Sequence, residues 1–154
     1  ASPGDLVIVP ASPWDYNENP ILWKPLRLQG AGLGTVINAN PVPAERLTVW
    51  HAKAAAILGG DPFTANEAPG IMVLGNGIGA YASDFTAAES RIDGFQIKGA
   101  IAGGGIGVWD QAANLRISNN RVIGNQGSLC GGIALGEQAQ PGTLYNNPCV
   151  TIEV

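Results

Sequence analysis

Ile92-Asp93-Gly94-Phe95-Gln96-Ile97 returns, further along the chain, as Leu115-Arg116-Ile117-Ser118-Asn119-Asn120-Arg121-Val122-Ile123. Ile92 to Ile117 and Ile97 to Val122 are both steps of 25 residues. A second motif is interleaved with the first. Gly70-Ile71-Met72-Val73, Gly105-Ile106-Gly107-Val108 and Gly132-Ile133-Ala134-Leu135 share the order glycine, apolar, small or apolar, apolar. Ile106 to Ile133 and Val108 to Leu135 are steps of 27. Short alternating runs bounded by Gly and Asn are strands rather than helices. Strands that recur at such a period belong to stacked coils, in which each coil buries its apolar side chains on the next. The fold class implied is an all-β solenoid.

The same rhythm extends towards the N-terminus. Leu6-Val7-Ile8-Val9 is an apolar run ended by Pro10, and Ile21-Leu22-Trp23, Leu26-Arg27-Leu28 and Thr35-Val36-Ile37-Asn38 follow, each closed by a turn. Three short strands and three bends make a triangular coil. Two segments break the pattern, at about 41–69 and 136–148. The first contains the one helical pattern, Ala44 to Leu58, with Leu47, Trp50, Ala54, Ile57 and Leu58 on a single stripe. Gly59-Gly60 ends it and Pro62 prevents its resumption. This insertion is expected to leave one corner and lay its stripe on the outer wall.

Val150-Thr151-Ile152-Glu153-Val154 aligns with Leu115-Arg116-Ile117 and begins a further coil. An open solenoid end exposes apolar core and unpaired strand edges. The expectation is therefore an incomplete fragment, its C-terminal coil truncated, with the remainder of a longer polypeptide or a second chain against that edge.

Inside the coil, alternate residues face a narrow interior. Ile92, Ile97, Ile106, Val108, Ile117, Val122, Ile133 and Leu135 are expected to stack on their equivalents, each worth about 1.5–3 kcal/mol when fully buried. Asn119, Asn120 and Asn125 fall at bends, where asparagine tolerates the left-handed conformation and ladders along equivalent positions.

Composition sets further bounds. The 154 residues are enough for one domain, and 45% are hydrophobic, enough for a core. Charged residues are 13%, below the usual share, and the net charge is −4. With no basic cluster along the chain, nucleic acid and anionic membrane surfaces are poor partners. No apolar run approaches the ~20 residues needed to span a bilayer. Low charge, abundant Gly and Asn, and few lysines (Lys24, Lys53, Lys98) point to an extracellular or cell-surface setting.

These repeat segments, together with Trp23-Lys24-Pro25-Leu26-Arg27-Leu28-Gln29-Gly30-Ala31-Gly32 and the preceding Gly4-Asp5-Leu6-Val7-Ile8-Val9, resemble the pectate-lyase-like superfamily. The resemblance implies a right-handed parallel β-helix with one short inserted helix, spanning 1–154 as a single domain. It says little of function, since that superfamily includes lyases, hydrolases, tailspikes and adhesins.

Candidate chemistry is sparse. A calcium-assisted lyase site needs several converging oxygens, whereas Asp84, Glu89, Asp93, Asp110 and Glu137 are scattered and Asp93 and Asp110 fall on different walls. Inverting hydrolysis needs two carboxyls about 6.5–9.5 Å apart, and Ser118, one coil from Asp93, is not acidic. The single histidine, His51, has no nucleophile motif beside it. One His and two Cys are too few for a zinc site, and no metal or cofactor is expected. Trp109 follows Val108 and should face outward beside Asp110, so Trp109 and Asp110 are the candidate polysaccharide contact, unless the inserted loops fold back over the ring. Cys130 and Cys149 flank the second insertion. A disulfide would pin that loop to the body, but needs Cα atoms within about 7 Å, and the sequence leaves bridge and free thiols equally open.

The expected function is a non-catalytic scaffold or adhesive module of a larger secreted or surface protein, in contact with polysaccharide. The alternatives are a polysaccharide lyase or glycoside hydrolase with its site mostly outside this chain, and a structural protein that self-assembles through its open edge.

Overall fold

The computed structural model describes residues 1–127, 130–136 and 150–152. The chain winds through the same three walls in every turn. The first coil contributes β1 (Leu6–Val9) and β2 (Ile21–Leu22), with Tyr16 bridging to Ile37 between them. The second holds β3 (Arg27–Gly30), β4 (Val36–Asn38), the inserted helix α1 (Glu45–Leu58) and β5 (Ile71–Leu74). The third is β6 (Ser90–Asp93), β7 (Gln96–Lys98) and β8 (Ile106–Trp109). The fourth is β9 (Leu115–Ser118), β10 (Arg121–Val122) and β11 (Ile133–Leu135), and β12 (Val150–Ile152) opens a fifth.

Among the described residues these strands form three sheets, ordered β1-β3-β6-β9-β12, β10-β7-β4 and β11-β8-β5-β2, and every pair is parallel. The protein is a parallel β-helix. The register follows the sequence repeat: Ile92 pairs with Ile117, Ile97 with Val122, Ile106 with Ile133 and Val108 with Leu135. Val150–Ile152 pairs with Leu115–Ile117.

The interior is a column of apolar side chains. Ile71, Val73, Phe85, Ile92, Phe95, Ile97 and Ile106 are fully buried in it, and Val122 and Ile133 pack at its margin. Leu135, expected inside, is 43% exposed. It sits on β11, the outermost strand of its sheet, so no strand among the described residues stacks on its far side.

Asparagine closes the bends between coils three and four. The Asn120 Oδ1 accepts the Phe95 N–H at 3.0 Å while its Nδ2 donates to the Ile92 carbonyl at 2.8 Å. Asn125 repeats this with the Ala100 N–H (3.1 Å) and the Ile97 carbonyl (3.0 Å). Each side-chain amide thus satisfies one backbone donor and one acceptor left over where the strands turn. Asn119 takes a φ of +54°, the left-handed region asparagine tolerates.

The insertion packs as its stripe requires. Trp50, Ala54 and Ile57 of α1 join Phe63, Ala68, Met72 and Leu74 in a second apolar cluster on the outer side of the third sheet, flanked by Trp23 and Trp109. Gly59 ends the helix at φ +77°, with its N–H on the Ala55 carbonyl. Among the described residues no helix is long and apolar enough to cross a membrane. The second insertion, at about 136–148, lies beyond Gly136 outside the described residues.

Candidate functional site: an arginine column on the first sheet

Strand alternation decides what the first sheet shows outside. Leu28, Ile92 and Ile117 point into the core, so Arg27, Arg91 and Arg116 point away from it. Parallel pairing in exact step carries this across coils: Arg27 pairs with Arg91, and Arg91 with Arg116. Three guanidinium-bearing positions are thus stacked one per coil, about 4.8 Å apart by strand spacing. Beside them runs a second outward column, Ile8, Gln29, Asp93 and Ser118.

The two columns are joined by hydrogen bonds. Arg91 Nη2 donates to Gln29 Oε1 at 2.7 Å, and Gln29 Nε2 donates to the Gly30 carbonyl at 3.0 Å. Arg27 Nε donates to the Gly4 carbonyl at 3.2 Å. The Asp93 Oδ1 accepts from Ser118 Oγ (2.9 Å) and Asn119 Nδ2 (2.7 Å). Burial pushes the Asp93 carboxyl upward, but hydrogen bonds from Asn119, Gln29 and Ser118 and the charge of Arg91 together outweigh it and hold the group below the ordinary carboxylate range. Asp93 is therefore a fixed anion buttressing Arg91. General acid–base work asks for a group that titrates near the operating pH.

Trp109 and Asp110 lie on another wall, at the end of β8. The Trp109 ring is half-buried against the second apolar cluster, its centroid 5.0 Å from that of Phe63 at an interplanar angle of 66°. Asp110 takes φ +58° and accepts from Asn76 Nδ2 at 3.2 Å. Phe63 of the inserted segment thus packs on the Trp109 ring, while Asp110 is bonded to Asn76 beyond that segment. Cys130 Sγ lies 3.3 Å from the Ile133 carbonyl oxygen, while Cys149 is outside the described residues. His51 Nδ1 sits 2.7 Å from Asp61 Oδ2, and Asp61 Oδ1 accepts the Phe63 N–H at 3.1 Å, a staple between α1 and the segment after it.

Sequence reasoning missed the arginine column. Its signal was half present, since Arg91 and Arg116 stand one 25-residue step apart. No family model, curated protein or solved structure matches this chain.

Proposed function

We propose that the chain is a non-catalytic adhesive module of the pectate-lyase-like superfamily, part of a secreted or cell-surface protein, whose first sheet holds an acidic polysaccharide. The arginine column Arg27-Arg91-Arg116 carries this reading. Like charges placed directly opposite on neighbouring strands are destabilising. A carboxylate-bearing chain laid along the β-helix axis offsets that repulsion, because each guanidinium fork matches a carboxylate in geometry and charge. One monosaccharide advances an extended glycan by a distance comparable to one coil, so repeating acid meets repeating base. Asp93, ionised and hydrogen-bonded by Ser118 and Asn119, fits a role in positioning Arg91. The Trp109 ring already packs on Phe63, so the proposal rests on the first sheet rather than on Trp109 and Asp110.

The test is calorimetric titration with polygalacturonate at about 20 mM and about 200 mM salt, where screening separates charge pairing from other contacts. Binding should weaken at the higher salt. Arg91→Gln should weaken it by about 10-fold, the worth of one charge-assisted hydrogen bond. Equal affinity for Arg91→Gln, or release of unsaturated or reducing ends from the polymer, would refute a non-catalytic arginine site.

A further inference from the structure

We propose a second binding site, for an uncharged oligosaccharide of about two or three rings, in the groove between α1 and the first coil. It is independent of the arginine column, which lies on another wall. The groove encloses about 840 Å³, within the ~300–1,000 Å³ typical of built ligand sites.

Its walls follow from the local sequence. Glu45, Val49 and Lys53 recur every four residues, so one face of α1 presents all three to the groove. The turn Asn17–Pro20 stands opposite. Trp23 and Tyr81 supply aromatic surface, locked edge to face at 5.0 Å and 86°, with Lys24 Nζ 4.6 Å from the Trp23 ring centroid and the buried Trp50 behind them. Sugar C–H faces stack on such rings, and an aromatic surface beside a few fixed polar groups is the usual build of a ligand site.

The polar groups divide into fixed and available. Asn19 Nδ2 donates to the Pro69 carbonyl at 3.0 Å, and its Oδ1 accepts from Arg46 Nη2 at 3.1 Å. Arg46 Nη1 donates to the Asn40 carbonyl at 2.6 Å. These bonds tie the first-coil turn, the start of the insertion and the return to β5 into one pre-formed back wall, so little ordering cost remains for binding. The side chains of Glu18, Glu45 and Lys53 make no hydrogen bond or ion pair among the described residues. With Arg46 they give a rim of two negative and two positive charges, which favours neither an anion nor a cation. Carboxylates and an ammonium are good partners for hydroxyl groups, which both donate and accept.

One buried group also lacks a partner. Trp50 is 5% exposed, lines the groove, and has a buried indole N–H with no acceptor among the described residues. An unmet buried donor is costly. The nitrogen is itself shielded from solvent, so Trp50 serves as a reporter of the groove rather than as a hydrogen-bond donor to a ligand.

The experiment follows the indole N–H resonances of the four tryptophans during titration with maltotriose, cellotriose and mannotriose. At least one trisaccharide should shift Trp50 and Trp23 and leave Trp14, which is 80% exposed, in place. Val49→Trp fills the groove from a position that is 54% exposed, and should abolish those shifts. Glu18→Gln, on an exposed turn away from the helix, should weaken binding about 5-fold. Arg91→Gln should leave it unchanged, which separates this site from the polysaccharide site proposed above. The inference is overturned if none of the trisaccharides shifts Trp50, if Trp14 shifts equally, or if trigalacturonate or an extended peptide occupies the groove in their place.

Discussion

Ile92→Ala tests whether this protein is held together coil against coil. Ile92 is fully buried, paired with Leu28 on one side and Ile117 on the other. The substitution removes three carbons, worth about 2.4 kcal/mol at ~0.8 kcal/mol each. The cavity left between two fixed strands adds to this, giving about 3–4 kcal/mol. Ile117→Ala should cost a similar amount. In the double variant the two cavities merge, so part of what the second deletion removes is already lost. The sum should overshoot the measured double loss by about 0.5–3 kcal/mol. Ile57 of α1 belongs to the other apolar cluster, so Ile92→Ala with Ile57→Ala should be additive within about 0.5 kcal/mol. Urea unfolding followed by far-ultraviolet circular dichroism reads all of these. A loss below about 1 kcal/mol for Ile92→Ala, or equal coupling of Ile92 to Ile117 and to Ile57, would refute a core built from stacked neighbours.

Two further outcomes test particular contacts. The depressed carboxyl of Asp93 contributes stability that is present above the unfolded value, about 3.9, and is lost as pH falls through the lower folded value. The stability advantage of the wild type over Asp93→Asn, read from urea midpoints, should thus shrink as pH drops below about 4, and an advantage that grows there would contradict the hydrogen-bond account. A Cβ on Gly30 would stand 2.2 Å from the Gly94 carbonyl oxygen, whereas Gly60 has nothing within 4 Å. Gly30→Ala should therefore cost about 1–3 kcal/mol while Gly60→Ala is neutral or slightly stabilising, and thermal midpoints in the opposite order would show that coils two and three do not approach so closely.

The fold was legible because a β-helix writes its register into the sequence. Parallel strands in step place every residue over its equivalent one period away, so the 25- and 27-residue steps of Ile92, Ile97, Ile106 and Val108 are also the strand pairings. Helix α1 was legible through a different period, with Trp50, Ala54 and Ile57 on one stripe and Gly59 at its end. Leu135 was misjudged because periodicity states which face a residue takes and says nothing about whether a further strand covers it. The fate of Trp109 was open for the same reason. Alternation turns it away from the coil, and only the folded path of the insertion brings Phe63 onto it.

The insertion also explains why both proposed sites were hidden. Arg91 and Arg116 are separated by one regular step, but Arg27 reaches Arg91 only across the segment that contains α1, a step of 64 residues, as from Gln29 to Asp93. A two-membered echo of arginine is unremarkable in a sequence. A third member in register makes it a column, and no fixed period exposes that member. The groove has no sequence period at all, because α1, the first-coil turn and Tyr81 come from three separate stretches. The apolar stripe of the helix is spent on the wall of the third sheet, and its next face, Glu45, Val49 and Lys53, is left to line the gap. One inserted segment therefore interrupts the repeat that would have revealed the first site and supplies a wall of the second. Removing α1 by joining the chain across its ends should abolish the trisaccharide response of Trp23 while leaving polygalacturonate binding intact, since Arg27, Arg91 and Arg116 stand on the first sheet whereas α1 packs on the third.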